Sequence, residues 1–334
     1  MKRTLLIWAS MACMTVHSVM AQDAAVNKII EIGQTDNQVM DHLDVLTNRI
    51  GGRVIGSNAY DNAVEWVASK FTEWGLEVEL QEAGTLPVGF NRGPWFGKLL
   101  GENGMELHFV TPSYTAGTKG VQRGHVLQEP LTQSEFDRMK GQLKGAWVLI
   151  NGKNVGWPVD RSAKGDSIRA AIISENNETA KKNRQIMEDN WRNNTDNPLL
   201  PLKEDVPALF YKQMCEAGVL GFIQSATVPL RALYDKAIIH DPTFTFDNLP
   251  EVCDIKLDEH QYAAIKQMVK ERRTFFLEFD IRNHFRMGPV KYYVSVSAML
   301  PLLFKQEYLA LSSKKDESRN SFSPYSRSLQ GTFA

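Results

Sequence analysis

The feature that most constrains this chain is a change of pattern near residue 300. Up to about Tyr293 helical and strand periods follow one another in an orderly way. The strand-like VKYYVSVSAML then passes into LLFKQEYLALSSKKDESRNSFSPYSRSLQGTFA, which is rich in Ser and charge and has no sustained period. Polar composition of this kind builds little apolar core. The organised part must therefore supply the fold. The expectation for 301–334 is a divergent tail, disordered over 312–334, with at most a short helix over Pro301–Leu311.

The opening reads as an export signal. Lys2 and Arg3 precede a mostly apolar run from Leu5 to Met20, and Val19-Met20-Ala21 before Gln22 fits a small-residue cleavage site. The run is short for a membrane anchor and is interrupted by His17 and Ser18. Ser10-Met11-Ala12 before Cys13 is a poor lipoprotein match. The expected location is periplasmic or extracellular. After cleavage Cys215 and Cys253 remain, and one disulfide or two buried thiols are both open. A net charge of -1 gives no reason to expect nucleic acid or an anionic surface as partner.

Helices come first. Thr35 and Gln38 have capping-box spacing, and Val39, Leu43, Leu46 and Ile50 then share one face until Gly51-Gly52. Ser57 or Asn58 caps a second helix striped by Ala63, Val64, Val67, Phe71 and Trp74, which Gly75 ends. Leu76–Gln81 has strand period. Between Gly84 and Gly124 many Gly, Pro and Thr residues suggest β structure with long turns. Buried strands are expected at Ala146–Asn151 and Ala170–Ser174, with a surface helix or loop over Lys181–Pro198. Tyr211–Gly218 reads as helix, Val219–Gln224 and Asp254–Leu257 as strands, and Asp258 as the cap of a helix carrying Tyr262, Ile265 and Val269. Phe275, Leu277, Phe279 and Ile281 alternate as a further strand.

The run LDVLTNRIGGRVIGSNAYDNAVEWVASKFTEWGLEVELQE resembles the opening of secreted zinc metallopeptidases of the aminopeptidase and plasma glutamate carboxypeptidase type. The stretch Asn48–Ser57 and then Trp74-Gly75-Leu76 carry that resemblance. Asn91-Arg92-Gly93-Pro94-Trp95 resembles the family's following element, with Pro94 a departure. Val121–Val126, Leu143–Ile150 and Glu216-Ala217-Gly218-Val219-Leu220-Gly221 resemble its protease-associated domain, and Gly288-Pro289-Val290-Lys291-Tyr292-Tyr293 its return to the peptidase domain. The resemblance covers roughly residues 27–294 and implies an α/β fold: partial peptidase-type N-terminal helices and strand, with an inserted mixed α/β domain of protease-associated type. The implied boundaries are a signal peptide at 1–21, a peptidase-like helical segment at 22–83, the inserted domain at 84–284, a return strand at 285–300 and the tail at 301–334.

The family's two zinc ions sit on ligands beyond that return, beginning with a His-x-Asp motif. No His-x-Asp occurs in this sequence, and the seven histidines (His17, His42, His108, His125, His240, His260 and His284) all precede residue 285. A paired zinc site needs several converging ligands and a base. The expectation is no catalytic, cofactor or metal residue in this chain, hence no zinc: a truncated family member without catalysis. The alternatives are an active zinc exopeptidase and a non-catalytic protease-associated binding module, with peptides as possible partners. The stripe of Ala63, Val67 and Phe71 is expected to be partly exposed or packed on the inserted domain, favouring self-association.

Local candidates have simple structural readings. His240-Asp241-Pro242 suits a turn, Asp41 and His42 a solvated helix face, and His125 with Arg123 a strand. Ser57 lacks the Gly-x-Ser-x-Gly elbow, and Gly51, Gly52 and Gly56 are wrongly spaced for a phosphate loop. Asn177-Glu178-Thr179 and Asn193-Asn194-Thr195 match the glycosylation pattern. Arg92, Trp95, Trp157 and Arg161 either line a cleft or are scattered.

Overall fold

The computed structural model describes residues 24–298, except 102–103, 160 and 205–207. The expected signal peptide and tail lie outside the described residues. The chain divides into two units, Met1–Arg53 and Val54–Ala334.

The first unit holds α1 (24–35) and α2 (Val39–Asp44), which widens into a π-turn over Val45–Ile50. The expected capping box does not form. Thr35 ends α1 and turns its hydroxyl back to Glu31 O at 2.7 Å, while Asn37 Oδ1 accepts from Val39 N at 3.0 Å. Gly51, at φ 83°, ends the π-turn in a conformation that glycine adopts freely.

The second unit opens with α3 (Asn58–Glu73), capped by the Ser57 hydroxyl, which accepts from Tyr60 N at 3.1 Å. Then comes β1, which runs the 24 residues from Glu77 to Leu100. It pairs antiparallel with β9 (Phe276–Ala298) along nearly its whole length, from Glu77 opposite Ala298 to Leu100 opposite Phe276. Everything between is an insertion into this long ribbon. The Gly- and Pro-rich stretch after Gly84 is therefore largely strand. It stays in the ladder because bulges at Glu82/Gly84, Leu86/Val88 and Arg92/Trp95 absorb Pro87 and Gly93-Pro94. The ribbon also pairs with β2 (Met105–Glu106) and β4 (Gln122–Gly124). α3 lies on the ribbon: Tyr60 Oη donates to Tyr293 O at 2.9 Å, and Ser295 Oγ to Val64 O at 3.2 Å. Ala63 is buried there, while Val67 and Phe71 stay half-exposed, so the α3 stripe is partly exposed, as expected, and its buried end lies on the ribbon.

The insertion contains a second sheet. Its strands β5 (Val126–Gln128), β6 (Trp147–Asn154), β7 (Gly221–Ala226) and β8 (Cys253–Asp258) are parallel and adjacent in chain order, with β3 (Phe109–Val110) antiparallel at the edge. The helices between them are α4 (Gln133–Met139), α5 (Ala163–Asn193), α6 (Tyr211–Glu216) and α7 (Lys236–Ile239). Period-two alternation splits β6 cleanly. Val148 and Ile150 join Phe222, Phe136, Phe210 and Met214 in a core with α4 and α6. Trp147 and Leu149 face the other way, into a core with Ile223, Ile255 and Leu257, with Tyr262 and Ile265 of α8 (Glu259–Lys270), and with Leu277, Phe279 and Ile281 of the ribbon. The Trp147 indole donates to Leu277 O at 3.2 Å and meets the Phe279 ring edge-on at 4.8 Å. The described residues are thus mixed α/β with two sheets.

Ala170–Ser174, expected as a strand, lies inside α5. The apolar run there is short, and such a run fits helix and strand alike. Ser162 settles the matter by capping a helix of 31 residues, accepting from Gly165 N at 3.0 Å. The far half of α5 carries an unexpected device. Asn176, Asn183 and Asn190 stand seven residues apart on one face, and their carboxamides grip the returning chain. Asn183 accepts from Leu200 N at 2.8 Å and donates to Leu200 O at 2.9 Å. Asn176 does the same to Lys203, at 2.9 and 3.1 Å, and Asn190 to Asn197, at 2.9 Å in both directions. The gripped residues are three apart, with Pro198 and Pro201 between them. Seven residues of α-helix rise about 10 Å, and three of a polyproline helix about 9 Å, so the two periods march together.

Candidate functional site

The sheet face that looks toward α6 is apolar except at its centre. There β7 and β8 set Gln224 directly opposite Lys256, while Asp254 is two residues before Lys256 on the same face. Lys256 is fully buried, and Gln224 and Asp254 nearly so. The Lys256 ammonium is 2.5 Å from Asp254 Oδ1 and contacts Gln224 Oε1. Asp254 Oδ2 accepts from Val159 N at 2.7 Å. Gln224 Oε1 also accepts from Asn154 Nδ2 at 3.2 Å, and Asn154 Oδ1 is held by Gly156 N at 2.7 Å. Burial lowers the Lys256 pKa, and the Asp254 charge opposes that shift. Beside Asp254 lies a space of about 10 Å³ lined by Arg161, Tyr211, Thr115 and Phe222.

A second buried group sits at the end of β5. Glu129 accepts from Asn151 N at 2.7 Å and Leu209 N at 3.2 Å, tying β6 to the approach of α6. Burial outweighs these two hydrogen bonds and pushes its pKa up to about 8. Asn151 is in turn held by Lys266 of α8 at 2.7 Å. A third feature is an open polar groove of about 670 Å³ between α4 and α5, bordered by Ser134, Arg138, Asn177, Lys181 and Arg184.

The candidates singled out in the sequence are dispersed. Asp241 closes a turn, accepting from Thr243 N at 2.8 Å and Thr243 Oγ1 at 2.7 Å, with His240 exposed. His125 Nε2 meets Gln142 O at 2.8 Å, and Arg123 pairs with Glu278 at 2.9 Å. Ser57 is a helix cap, and Asp41 is exposed on α2. Asn177 Oδ1 accepts from Gln133 N at 3.0 Å. Arg92 stacks on Trp95 at 5.5 Å, Trp157 is half exposed, and Arg161 belongs with Tyr211 near Asp254, so the four line no common cleft. Cys215 and Cys253 are free thiols, their pKa values pushed by burial up to about 11 and about 12. Among the described residues no group of three or more His, Cys, Asp or Glu is placed to hold a metal ion, so these residues do not fit a zinc pair. No helix among them is long and apolar enough to cross a membrane.

No family model matches the chain, and no curated protein matches it. Solved structures do. A peptidase M28 precursor from Shewanella amazonensis SB2B is 14% identical with a TM-score of 0.43, over 82% of this chain and 53% of that one. A zinc aminopeptidase from Bacillus subtilis is 12% identical with a TM-score of 0.39, over 79% and 47%. An aminopeptidase from Aneurinibacillus sp. strain AM-1 is 12% identical with a TM-score of 0.35, over 80% and 48%. The likenesses are distant, and the chain spans about half the length of these structures.

The polar centre of the second sheet was not foreseen from sequence. Its one signal is the pair Asp254 and Lys256 within an otherwise buried strand, where charges demand partners.

Proposed function

We infer that the described residues form a non-catalytic part of a protein of the secreted zinc exopeptidase type, an inserted α/β domain of protease-associated kind held on a helix-backed ribbon. One observation carries this reading: the described histidines and carboxylates do not gather into a ligand set. Several are committed elsewhere, His125 to a carbonyl, Asp241 to a turn, Asp254 to Lys256 and Glu129 to two backbone amides. The sequence elements from Asn48 to Ser57, Trp74 to Leu76 and Gly288 to Tyr293 support the family kinship. In this reading peptides are the partners, and the chain acts outside the cytoplasm by binding them, without cleavage. Exposed apolar side chains on the ribbon, among them Leu80, Met287 and Val294, add self-association.

The test loads the purified chain with zinc, removes excess metal, and measures bound metal and release of amino acids from aminoacyl and dipeptide substrates. No stoichiometric metal and no hydrolysis are expected. About two metal ions per chain with chelator-sensitive hydrolysis would establish the active exopeptidase instead.

A further inference from the structure

The centre of the second sheet holds the parts of a covalent cross-link. An amine, a carboxamide, a carboxyl group and an amide donor meet in a place closed to solvent. We propose that Lys256 and Gln224 form an intramolecular isopeptide bond between β8 and β7, with Asp254 as the proton carrier and Asn154 as the donor to the carbonyl oxygen.

Each role follows from position. Gln224 and Lys256 are register partners on adjacent parallel strands and point to the same face, so the side chains meet without backbone movement. Lys256 already contacts Gln224 Oε1. Asp254 Oδ1 lies 2.5 Å from the same nitrogen, within reach to take its proton. Burial disfavours the charged ammonium of Lys256 and so favours the neutral amine. A neutral amine is a nucleophile, and an ammonium is not. Asn154 Nδ2, 3.2 Å from Gln224 Oε1, faces the oxygen on which negative charge develops as the amine adds. Val159 N holds the other oxygen of Asp254 and fixes the carboxyl plane.

The steps balance. Lys256 Nζ gives a proton to Asp254 Oδ1. The amine lone pair then adds to Gln224 Cδ, and the C=O electron pair moves to Oε1, facing Asn154. Asp254 returns its proton to Gln224 Nε2 and accepts one from the new ammonium-like Nζ. The carbonyl re-forms as the Cδ–Nε2 bond breaks and releases ammonia, and the proton left on Asp254 then passes to it, so that it departs as ammonium and the carboxylate is restored. One amide replaces another, with no oxidant or cofactor. The product is a covalent tie across the middle of a domain whose two cysteines are free.

The experiment is mass spectrometry of the purified full chain. The intact mass is expected to fall about 17 Da below that calculated for the same residues without the bond, the loss of one ammonia. Tryptic digestion is expected to give a branched peptide joining the segments that contain Gln224 and Lys256, uncut after Lys256. Asp254→Asn preserves shape and the acceptor for Val159 N, and should carry the full unreacted mass. Lys256→Met fills the site with an apolar chain and should do the same. An unshifted wild-type mass on protein shown to be folded, or a linear peptide ending at Lys256, would overturn the proposal. A bond formed equally well in Asp254→Asn would overturn the role given to Asp254.

Discussion

Glu129 shows how a single side chain can set the response of this fold to pH. Its carboxyl group is nearly buried and titrates near 8, against an ordinary value of 4.5. The unfolded chain therefore loses this proton first, and the folded chain keeps it until about pH 8. Across that window the unfolded state binds fewer protons, so this group's contribution to stability falls as pH rises. Urea midpoints measured at unit steps from pH 5 to 8 should decline in the wild type and be flatter in Glu129→Gln. Parallel curves for the two proteins would show that Glu129 is not the group responsible. Gly288 makes a different point at the same scale. A Cβ there would fall 1.7 Å from Pro87 O, a backbone atom with no means of yielding. Gly288→Ala should force the ribbon apart and cost several kcal/mol, at the upper end of single-residue effects, read as a lowered denaturation midpoint.

Among the elements, α5 is where the sequence was hardest to read and where its logic is now plainest. The Asn176, Asn183 and Asn190 ladder is written in the chain as a heptad of Asn, and its partner as residues 197, 200 and 203 around two prolines. Apolar periodicity, which reveals most helices, says nothing about such a pairing. The ladder predicts unequal losses. Asn183→Ala removes two exposed hydrogen bonds that water replaces in part, and should cost about 0.5–1.5 kcal/mol. Asn176 is buried, and it also donates to Leu131 O at 3.1 Å. Asn176→Ala leaves backbone groups without partners and should cost about 2–3 kcal/mol. Hydrogen exchange at Leu200 and Lys203 checks both, each amide being released by its own variant only. The ribbon strands teach the complementary lesson. Phe275, Leu277, Phe279 and Ile281 announce their strand by alternation, and the structure buries all four, with Phe276 between them exposed. β1 hides the same conformation behind Gly and Pro, because three bulges reset its alternation and make a long strand look like a string of turns.

For the whole second unit, cohesion depends on the layer where the two sheets meet. Trp147 of one sheet and Phe279 of the other share a fully buried contact, and the indole N–H is spent on Leu277 O. Trp147→Ala should cost about 3–5 kcal/mol, the range for a large aromatic deleted from a core. Combining it with Phe279→Ala should cost clearly less than the two separately, since each change removes the same contact. Strict additivity in denaturant titrations would mean that the sheets unfold independently. The strand carrying Leu277, Phe279 and Ile281 was legible with its core positions because it obeys period two. The polar centre around Lys256 was not, because it exists only once β7 and β8 lie side by side.

The long ribbon has one more consequence. The chain enters the inserted domain along β1 and leaves it along β9, with Leu86 opposite Val290. Neighbouring antiparallel strands lie about 5 Å apart, so the way in and the way out are adjacent. A segment with that property is a transferable cassette: spliced into the turn of an unrelated β-hairpin, residues 86–290 would occupy no more of the host's backbone than the turn they replace.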